Sequence, residues 1–277
     1  MVKEKRHRCI YSEIASWRCK GLARKELAIV KLGGSLITQK EKPLTINLQV
    51  IDAIGNALSK SDNPLILVHG GGSFGHYFAD KYGLTTKPSK VSAEGVSKTR
   101  MSMLELNLKI LNCLDKHGLN PYPLPPSNFV QLSIKEKRKL FLALVDYGLT
   151  PVTYGDVLLK SKGFYVLSGD EITRMLSEAL KPIRVIFLLN VDGIFRDLNQ
   201  PDSLIEELKP EDLTKIQVKS IDMDVTGGMR IKVKEAIRMA KDGIDVMFIN
   251  GTNQERILRA LKGELLKGTL IRGSRNE

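Results

Sequence analysis

The stretch "LVHGGGSFGH", residues 67–76, decides the fold prediction, because an apolar run leads there into three consecutive glycines. "ELAIVKLGG", residues 26–34, repeats this order of a β-branched run followed by glycines. Such a pattern is typical of a buried strand that leads into a tight loop. Residues 45–61, between the two, carry apolar residues four apart, as on one helix face: Ile46, Val50, Ile54 and Leu58. The sequence therefore predicts a β-loop-α-β-loop unit.

The rest of the chain continues this alternation. The pattern predicts a helix over 90–117, a helix and a strand over 140–156, and a hairpin over 156–170. It then predicts the following order: helix 171–181, strand 184–191, an irregular segment 192–225, helix 228–242, strand 244–249 and helix 253–262. Strands that alternate with helices predict an α/β fold with a mainly parallel sheet covered on both faces.

The long helix predicted over 90–117 carries an apolar stripe. Its members follow the 3–4 spacing of one helix face, and we predict that they face the core: Met101, Leu104, Leu108 and Leu111. Cys113 in the same pattern is predicted to pack as a small hydrophobic residue.

Length and composition favour a globular enzyme. The 277 residues are 42% hydrophobic, which suits one large domain or two fused lobes. No apolar run approaches the roughly 18–20 residues of a membrane helix, so a soluble protein is predicted. The three cysteines are too far apart for a metal knuckle, and their odd number argues against a disulfide framework. A reducing cytoplasm fits this count best.

The net charge of +12 is unevenly spread. Residues 1–25 hold eight Lys or Arg against two Glu, which is half of the net charge. A basic tail on a mildly basic domain indicates a flexible arm, a targeting segment or an incorrectly chosen start codon. We favour the last, and we predict neither a nucleic-acid nor a membrane partner.

Four glycine-bearing turns precede predicted helices: "KLGGS" (31–35), "HGGGSFGH" (69–76), "SGD" (168–170) and "TGGM" (226–229). Loops that leave parallel strands gather at one sheet edge, where glycines and helix N-termini accommodate anions. The alternative is that each glycine merely ends a strand. Together the four turns favour a site for more than one phosphate, although they match neither a P-loop nor a dinucleotide fingerprint.

Three lysines accompany these turns: Lys31, Lys40 and Lys232. Phosphoryl transfer needs positioned cations more than a covalent nucleophile, and these lysines could supply them. Solvated surface charge is the alternative. Lys31 is the exception, because an ammonium inside an apolar strand needs an anionic partner.

The motifs "KLGGS", "HGGG", "NVDGIF" and "TGGMxxK", with a "GD" after the hairpin, resemble the amino acid kinase superfamily. "KLGGSLIT", "HGGGSFGH", "LSGD" and "DVTGGMRIK" most closely resemble the archaeal isopentenyl phosphate kinases. The resemblance covers about 26–272. It implies a three-layer αβα sandwich formed by one kinase domain over 26–277, with an acceptor-binding lobe to about 180 and a nucleotide-binding lobe from about 181.

The resemblance also implies site residues. Those expected to bind ATP are Lys31, Gly33, Gly34, Ser35, Gly72, Asp192, Gly228 and Lys232. Those expected to hold the acceptor phosphate are Gly71, His76 and Gly169. The residues expected to serve catalysis are Lys31, Lys40, His76, Asp170 and Lys232, with Asp170 ordering the lysines. Mg²⁺ is expected to accompany ATP through phosphate oxygens and water, so no residue is named as its ligand.

His76 distinguishes the acceptor, since an acceptor that already bears a phosphate gains from an imidazole donor. The apolar tail of the acceptor needs a dry wall, for which we consider Val96, Thr99 and Met103, with core packing as an equal alternative. His69 is predicted to be structural, and His117 to act as a cation at a helix C-terminus.

The expected reaction is direct transfer of the ATP γ-phosphoryl group to isopentenyl phosphate, without a phosphorylated enzyme. The resemblance further implies a homodimer. Two alternatives remain open at this point. One is a kinase of the same fold that acts on another phosphate or phosphonate, as a fosfomycin kinase does, and the other is a non-catalytic ligand- or nucleic-acid-binding protein on this scaffold.

Overall fold

The computed structural model describes residues 26–84, 92–161, 163–197, 199–209, 228–265 and 267–274. The predictions for the basic extension therefore lie outside the described residues. Residues 226 and 227 of the predicted "TGGM" turn also lie outside the described residues.

Ten strands run through the described residues. In chain order they are β1 (Ala28–Leu32), β2 (Leu65–His69), β3 (Pro121–Pro123), β4 (Thr150–Tyr154), β5 (Asp156–Lys160), β6 (Gly163–Leu167), β7 (Arg184–Leu189), β8 (Glu207–Leu208), β9 (Asp245–Asn250) and β10 (Thr269–Ile271). Eight of them form one sheet in the order β3-β4-β2-β1-β7-β9-β10-β8. Its strand pairs are parallel except for β9 with β10, so the predicted mainly parallel sheet is confirmed.

Helices cover both faces of this sheet. In chain order they are α1 (Gly34–Ile37), α2 (Leu48–Leu58), α3 (Gly72–Lys81), α4 (Ala93–Lys116), α5 (Ile134–Asp146), α6 (Gly169–Leu180), α7 (Gly228–Lys241) and α8 (Gln254–Lys262). Alternate residues of β1 enter different cores, since Ile29 packs with α5, α6 and α7 while Val30 packs with α2, α4 and α8. The three-layer αβα sandwich is confirmed.

The hairpin predicted after β4 is present as the antiparallel pair of β5 and β6. The sequence patterns missed β3, β8 and β10, which have two or three residues each. In β3 prolines occupy both ends, a composition that argues against a strand except at a sheet edge, which is where β3 lies.

The predicted core stripe of α4 was wrong for three of its four residues, whereas Leu111 is partly buried against the core, as predicted. Met101, Leu104 and Leu108 are 60%, 50% and 58% exposed. The buried face of α4 instead carries Val96, Met103, Leu106, Ile110, Cys113 and Leu114, so the packing predicted for Cys113 is confirmed. Both rows have 3–4 spacing, and only the position of the neighbouring elements decides which row is covered.

The chain changes direction in the sheet at β1. It proceeds from β1 through β2 toward β4 on one side, and later places β7 and β9 on the other. In open α/β sheets ligands bind outside the carboxyl ends of the strands at such a switch point. Within the described residues, no helix combines the length and apolar character that a membrane span requires.

Candidate active site

Two glycine loops touch at the carboxyl ends of β1 and β2. A Cβ added to Gly34 would lie 2.4 Å from the backbone nitrogen of Gly72, and one added to Gly72 would lie 2.6 Å from the carbonyl oxygen of Gly34. Gly72 also has a backbone φ of +48°, which residues other than glycine rarely adopt. The close approach therefore requires glycine at both positions. The two loops form one continuous backbone surface, the glycine floor.

Thr38 links the same two loops by hydrogen bonds. Its hydroxyl donates to the carbonyl of Gly34 at 2.8 Å and accepts from the backbone N–H of Ser73 at 2.9 Å. Thr38 was not among the predicted site residues, although the motif "KLGGSLIT" ends on it.

A buried carboxylate joins two of the predicted lysines beneath this floor. Asp170 begins the first turn of α6, and one of its oxygens lies 2.8 Å from the Nζ of Lys31 on β1. Its other oxygen lies 3.4 Å from the Nζ of Lys232 on α7. A Cβ on Gly70 would stand 3.6 Å from the Lys31 Nζ, so this ammonium lies against the second glycine loop.

Burial and charge act against each other in this group. Burial disfavours the ionised carboxyl of Asp170, but Lys31 and Lys232 outweigh burial and hold its pKa below the ordinary value. Burial lowers the pKa of Lys31, and the charge of Asp170 opposes that shift. When all three groups are charged they carry one surplus positive charge, which suits an anionic ligand.

The third predicted loop packs on the second. A Cβ on Gly169 would lie 2.9 Å from the carbonyl oxygen of His69 at the end of β2. The His69 ring is buried, stacks on Tyr154 with centroids 5.2 Å apart, and places its Nε2 3.2 Å from Asn107. Burial lowers the pKa of His69 to about 4, so it is a neutral packing residue, as predicted.

His76 and Lys40 lie at the surface of the same region. His76 is exposed, one turn after Gly72 on α3, and Lys40 is exposed between α1 and α2. Among the described residues, no contact joins either side chain to the Lys31–Asp170–Lys232 group. Their assigned roles stay predictions.

The helix α4 packs against the second glycine loop. The Sδ of Met103 would lie 3.2 Å and 3.1 Å from a Cβ on Gly71 and on Gly75. Val96 belongs to a small apolar cluster with Ala79, Leu84 and Val157, and the Thr99 hydroxyl donates to the carbonyl of Gly95. Of the predicted wall, Met103 thus contacts the predicted acceptor loop, whereas Val96 packs near the end of α3.

The other side of β1 carries a second polar group. Asp192, just after β7, contacts Arg256 at 2.5 Å, Lys267 at 2.8 Å and Asn250 at 3.2 Å. Hydrogen bonds from Lys267 and Arg256 lower the pKa of Asp192 to about 2. These three partners were not predicted, although "NGT", residues 250–252, follows a predicted strand and resembles the other turns.

The remaining residues predicted to bind ATP lie next to β7 or at the start of α7. The hydroxyl of Ser35 donates to Asn190, the residue after β7, at 3.5 Å. Gly33 packs on β7, because its N–H donates to the Leu188 carbonyl and a Cβ would stand 2.7 Å from that oxygen. Gly228 begins α7, and its carbonyl accepts a bond from Lys232 at 3.2 Å.

An open αβα sheet whose switch point carries touching glycine loops above two lysines defines a phosphate-binding transferase site. Exposed backbone atoms of the glycine loops and the positively charged lysines are features that suit phosphate groups. The chain belongs to the amino acid kinase family, whose model matches residues 26–250.

Several relatives match nearly the whole chain. Isopentenyl phosphate kinase of Thermoplasma acidophilum is 34% identical over 252 residues, which are 89% of this chain and all of the relative. Isopentenyl phosphate kinase of Arabidopsis thaliana is 34% identical over 81% of this chain and 77% of its own length. A crystal structure of the T. acidophilum enzyme in its product complex has a TM-score of 0.73 at 30% identity, covering 89% of this chain and 100% of that one.

Proposed function

We propose that this chain transfers the γ-phosphoryl group of ATP to isopentenyl phosphate, giving isopentenyl diphosphate and ADP. The observation that carries the proposal is the floor of touching glycines above Lys31, Asp170 and Lys232. The choice of acceptor is supported by relatives of that name that match this chain along nearly its whole length.

ATP supplies the phosphoryl group, and the lysines stabilise its charge. A transferred phosphoryl spreads negative charge over its oxygens, which positioned ammonium groups stabilise best where water is excluded. Lys31 is 2% exposed, so it acts from a site that is largely free of solvent. The backbone N–H groups of the glycine loops align the donor and acceptor oxygens.

Asp170 acts as a positioning residue. It holds Lys31 and Lys232 from opposite oxygens, and both ammonium groups therefore point at one region beneath the glycine floor. Without this carboxylate the two lysines would lose the anion between them, and burial would lower the pKa of Lys31 without opposition from Asp170.

The acceptor side is formed by Gly71, His76 and Gly169, with Val96, Thr99 and Met103 along the tail. His76 donates a hydrogen bond to the phosphate that the acceptor already carries. Lys40, on the loop after α1, adds a further cation to the phosphates.

The nucleotide side is formed by Gly33, Gly34, Ser35, Gly72, Asp192 and Gly228. We assign acceptor binding to the lobe up to about residue 180 and nucleotide binding to the lobe after it, with the glycine loops of the first lobe reaching the ATP phosphates. Mg²⁺ accompanies ATP. Both oxygens of Asp170 face ammonium groups, so phosphate oxygens and water are the expected Mg²⁺ ligands.

The test is an ADP-release assay with Mg-ATP and five acceptors: isopentenyl phosphate, dimethylallyl phosphate, fosfomycin, UMP and acetylglutamate. Wild type is compared with His76→Ala, with His76→Gln, and with Tyr77→Ala as an exposed neighbour that has no assigned role. We expect turnover with isopentenyl phosphate that falls in His76→Ala, returns in part in His76→Gln and persists in Tyr77→Ala.

Other results of this assay separate the alternatives. Turnover confined to fosfomycin or UMP would support a kinase of this fold and exclude isopentenyl phosphate as its acceptor. Absence of turnover with every acceptor would favour a binding protein on this scaffold.

A second copy of this chain is the proposed partner. The exposed row of Met101, Leu104 and Leu108 on α4 is a stripe of apolar side chains that a homodimer would cover. Light scattering of wild type and Leu104→Glu tests this: a dimer that becomes a monomer supports it, and a monomeric wild type refutes it. The cytoplasmic location stays a prediction.

A further inference from the structure

A cluster of three different metal-ligating side chains lies away from the phosphate site, between α2 and the end of α4. It consists of Asp52, Cys113 and His117, whose ligand atoms all lie within 4.8 Å of one another. His117 Nε2 is 3.0 Å from Asp52 Oδ1, and Cys113 Sγ is 3.8 Å from the same oxygen. Among the described residues this is the one group of its kind.

Helix geometry explains why these side chains meet. Cys113 lies in the last turn of α4 and His117, four residues later, is the C-cap of that helix, so both side chains face the same way, and Asp52 faces them from α2. Gly55, one turn after Asp52, makes room for the imidazole, because a Cβ there would lie 2.6 Å from His117 Cδ2. The ring therefore rests on the α2 backbone with its Nε2 directed at Asp52.

Two of the three distances between ligand atoms lie close to those of a tetrahedral zinc site. With Zn–S of about 2.3 Å and Zn–N or Zn–O of about 2.0 Å, ligand atoms in a tetrahedron stand roughly 3.3–3.6 Å apart. The observed 3.0 Å and 3.8 Å fall on either side of this range, so small side-chain rotations would fit the ion.

Charge and access also suit a divalent ion. A thiolate from Cys113 and the carboxylate of Asp52 would neutralise Zn²⁺, with neutral His117 as third ligand and water as fourth. Burial raises the pKa of the Cys113 thiol, so binding must displace its proton. The Asp52 side chain is 61% exposed, which leaves the site open to solvent on that side.

We propose that Asp52, Cys113 and His117 form a zinc site that joins α2 to α4. Sulfur, imidazole and carboxylate together are typical of Zn²⁺, whereas Mg²⁺ and Ca²⁺ prefer oxygen alone. In the part of the chain that the structure describes, no contact joins this site to the phosphate-binding residues, so its test is independent of the kinase assignment. In the absence of zinc, the His117 Nε2 lies within hydrogen-bond distance of Asp52 Oδ1.

The test uses the full chain with Cys9→Ser and Cys19→Ser, which leaves Cys113 as the sole thiol of the three. Co²⁺ reports tetrahedral thiolate ligation by a near-ultraviolet charge-transfer band. We expect this band at one cobalt per chain, its displacement by zinc, and its absence when Cys113→Ser is added.

Variants of the other two ligands test the complete set. His117→Ala and Asp52→Asn should each weaken cobalt binding at least about tenfold. Asp115→Asn, an exposed carboxylate on the same helix, is the matched control and should bind as the background does. Zinc at a hundredfold excess over its dissociation constant should raise the unfolding midpoint by about 5 °C in the background and not in His117→Ala.

Two results would overturn the site. One is absence of the charge-transfer band in the background protein while it is folded, which would leave a simple hydrogen-bond contact between Asp52 and His117. The other is equal cobalt affinity in the background, His117→Ala and Asp52→Asn, which would show an adventitious ion bound by the thiol.

Discussion

The ammonium of Lys31 and the carboxylate of Asp170 lie 2.8 Å apart, with side chains that are only 3% and 9% exposed. Removing one member of a buried ion pair leaves an uncompensated charge. Lys31 lies on β1 and Asp170 lies at the start of α6, so this contact joins β1 to α6 within the phosphate site.

Asp170→Asn should lower kcat about a hundredfold, because Lys31 and Lys232 lose the group that positions them. Glu235→Gln is the matched control, since Glu235 is also buried and paired with two cations, Arg174 and Arg238, away from the glycine loops. Steady-state kinetics on folded protein, checked by circular dichroism, measures the difference. Equal losses of kcat in the two variants would contradict the positioning role.

Lys232→Met should lower kcat about a hundredfold or more, because one of two cations that stabilise the transferred group is removed. Lys234→Met, an exposed lysine on the same helix, should keep kcat close to wild type. The comparison needs saturating ATP and acceptor, so that weaker binding does not account for the loss. Similar rates in both variants would place Lys232 outside the reaction.

Gly34→Ala should abolish nucleotide binding, because its Cβ would lie 2.4 Å from the backbone nitrogen of Gly72 and push the two loops apart. Gly75→Ala, in the same region, meets only the flexible Sδ of Met103 at 3.1 Å and should be tolerated. Isothermal titration with an ATP analogue reports both. Normal affinity for the ATP analogue in Gly34→Ala would show that the two loops can move apart without weakening nucleotide binding.

Val96→Ala should allow a longer acceptor chain, since it widens the small apolar cluster that Val96 forms with Ala79, Leu84 and Val157. The measurement is kcat/KM for a series of alkenyl phosphates of increasing length. Leu142→Ala, a buried residue of the opposite core, controls for general loosening of the fold. An unchanged length preference in Val96→Ala and Thr99→Ala would remove α4 from the pocket.

Acid should destabilise the fold through His69. Its pKa is about 4 in the folded protein against an ordinary value of 6.5. As pH falls below 6.5 the unfolded chain takes up this proton before the folded one does, so the free energy of unfolding decreases between pH 6.5 and 4, by at most about 3 kcal/mol. Urea unfolding at a series of pH values should show that the free energy of unfolding declines more steeply with acid in wild type than in His69→Gln. Parallel declines in the two proteins would refute the role of His69.

Much of the fold could be predicted, because its signals are local. An apolar run that ends in glycine indicates a buried strand and a tight loop without reference to the rest of the chain, and this holds for β1 and β2. The helix and strand order after the hairpin was also predicted from periodicity alone. The short strands β3, β8 and β10 were missed, since two or three residues show no period.

The sequence by itself determined the glycine loops, the lysines near them and the alternation of strands and helices, because each depends on neighbouring residues. Only the tertiary structure decided that Lys31, Asp170 and Lys232 meet, since an ion pair requires atoms from three distant segments within hydrogen-bond distance. It also decided which face of α4 is buried, because two apolar rows had the same spacing and the sheet covers only one of them.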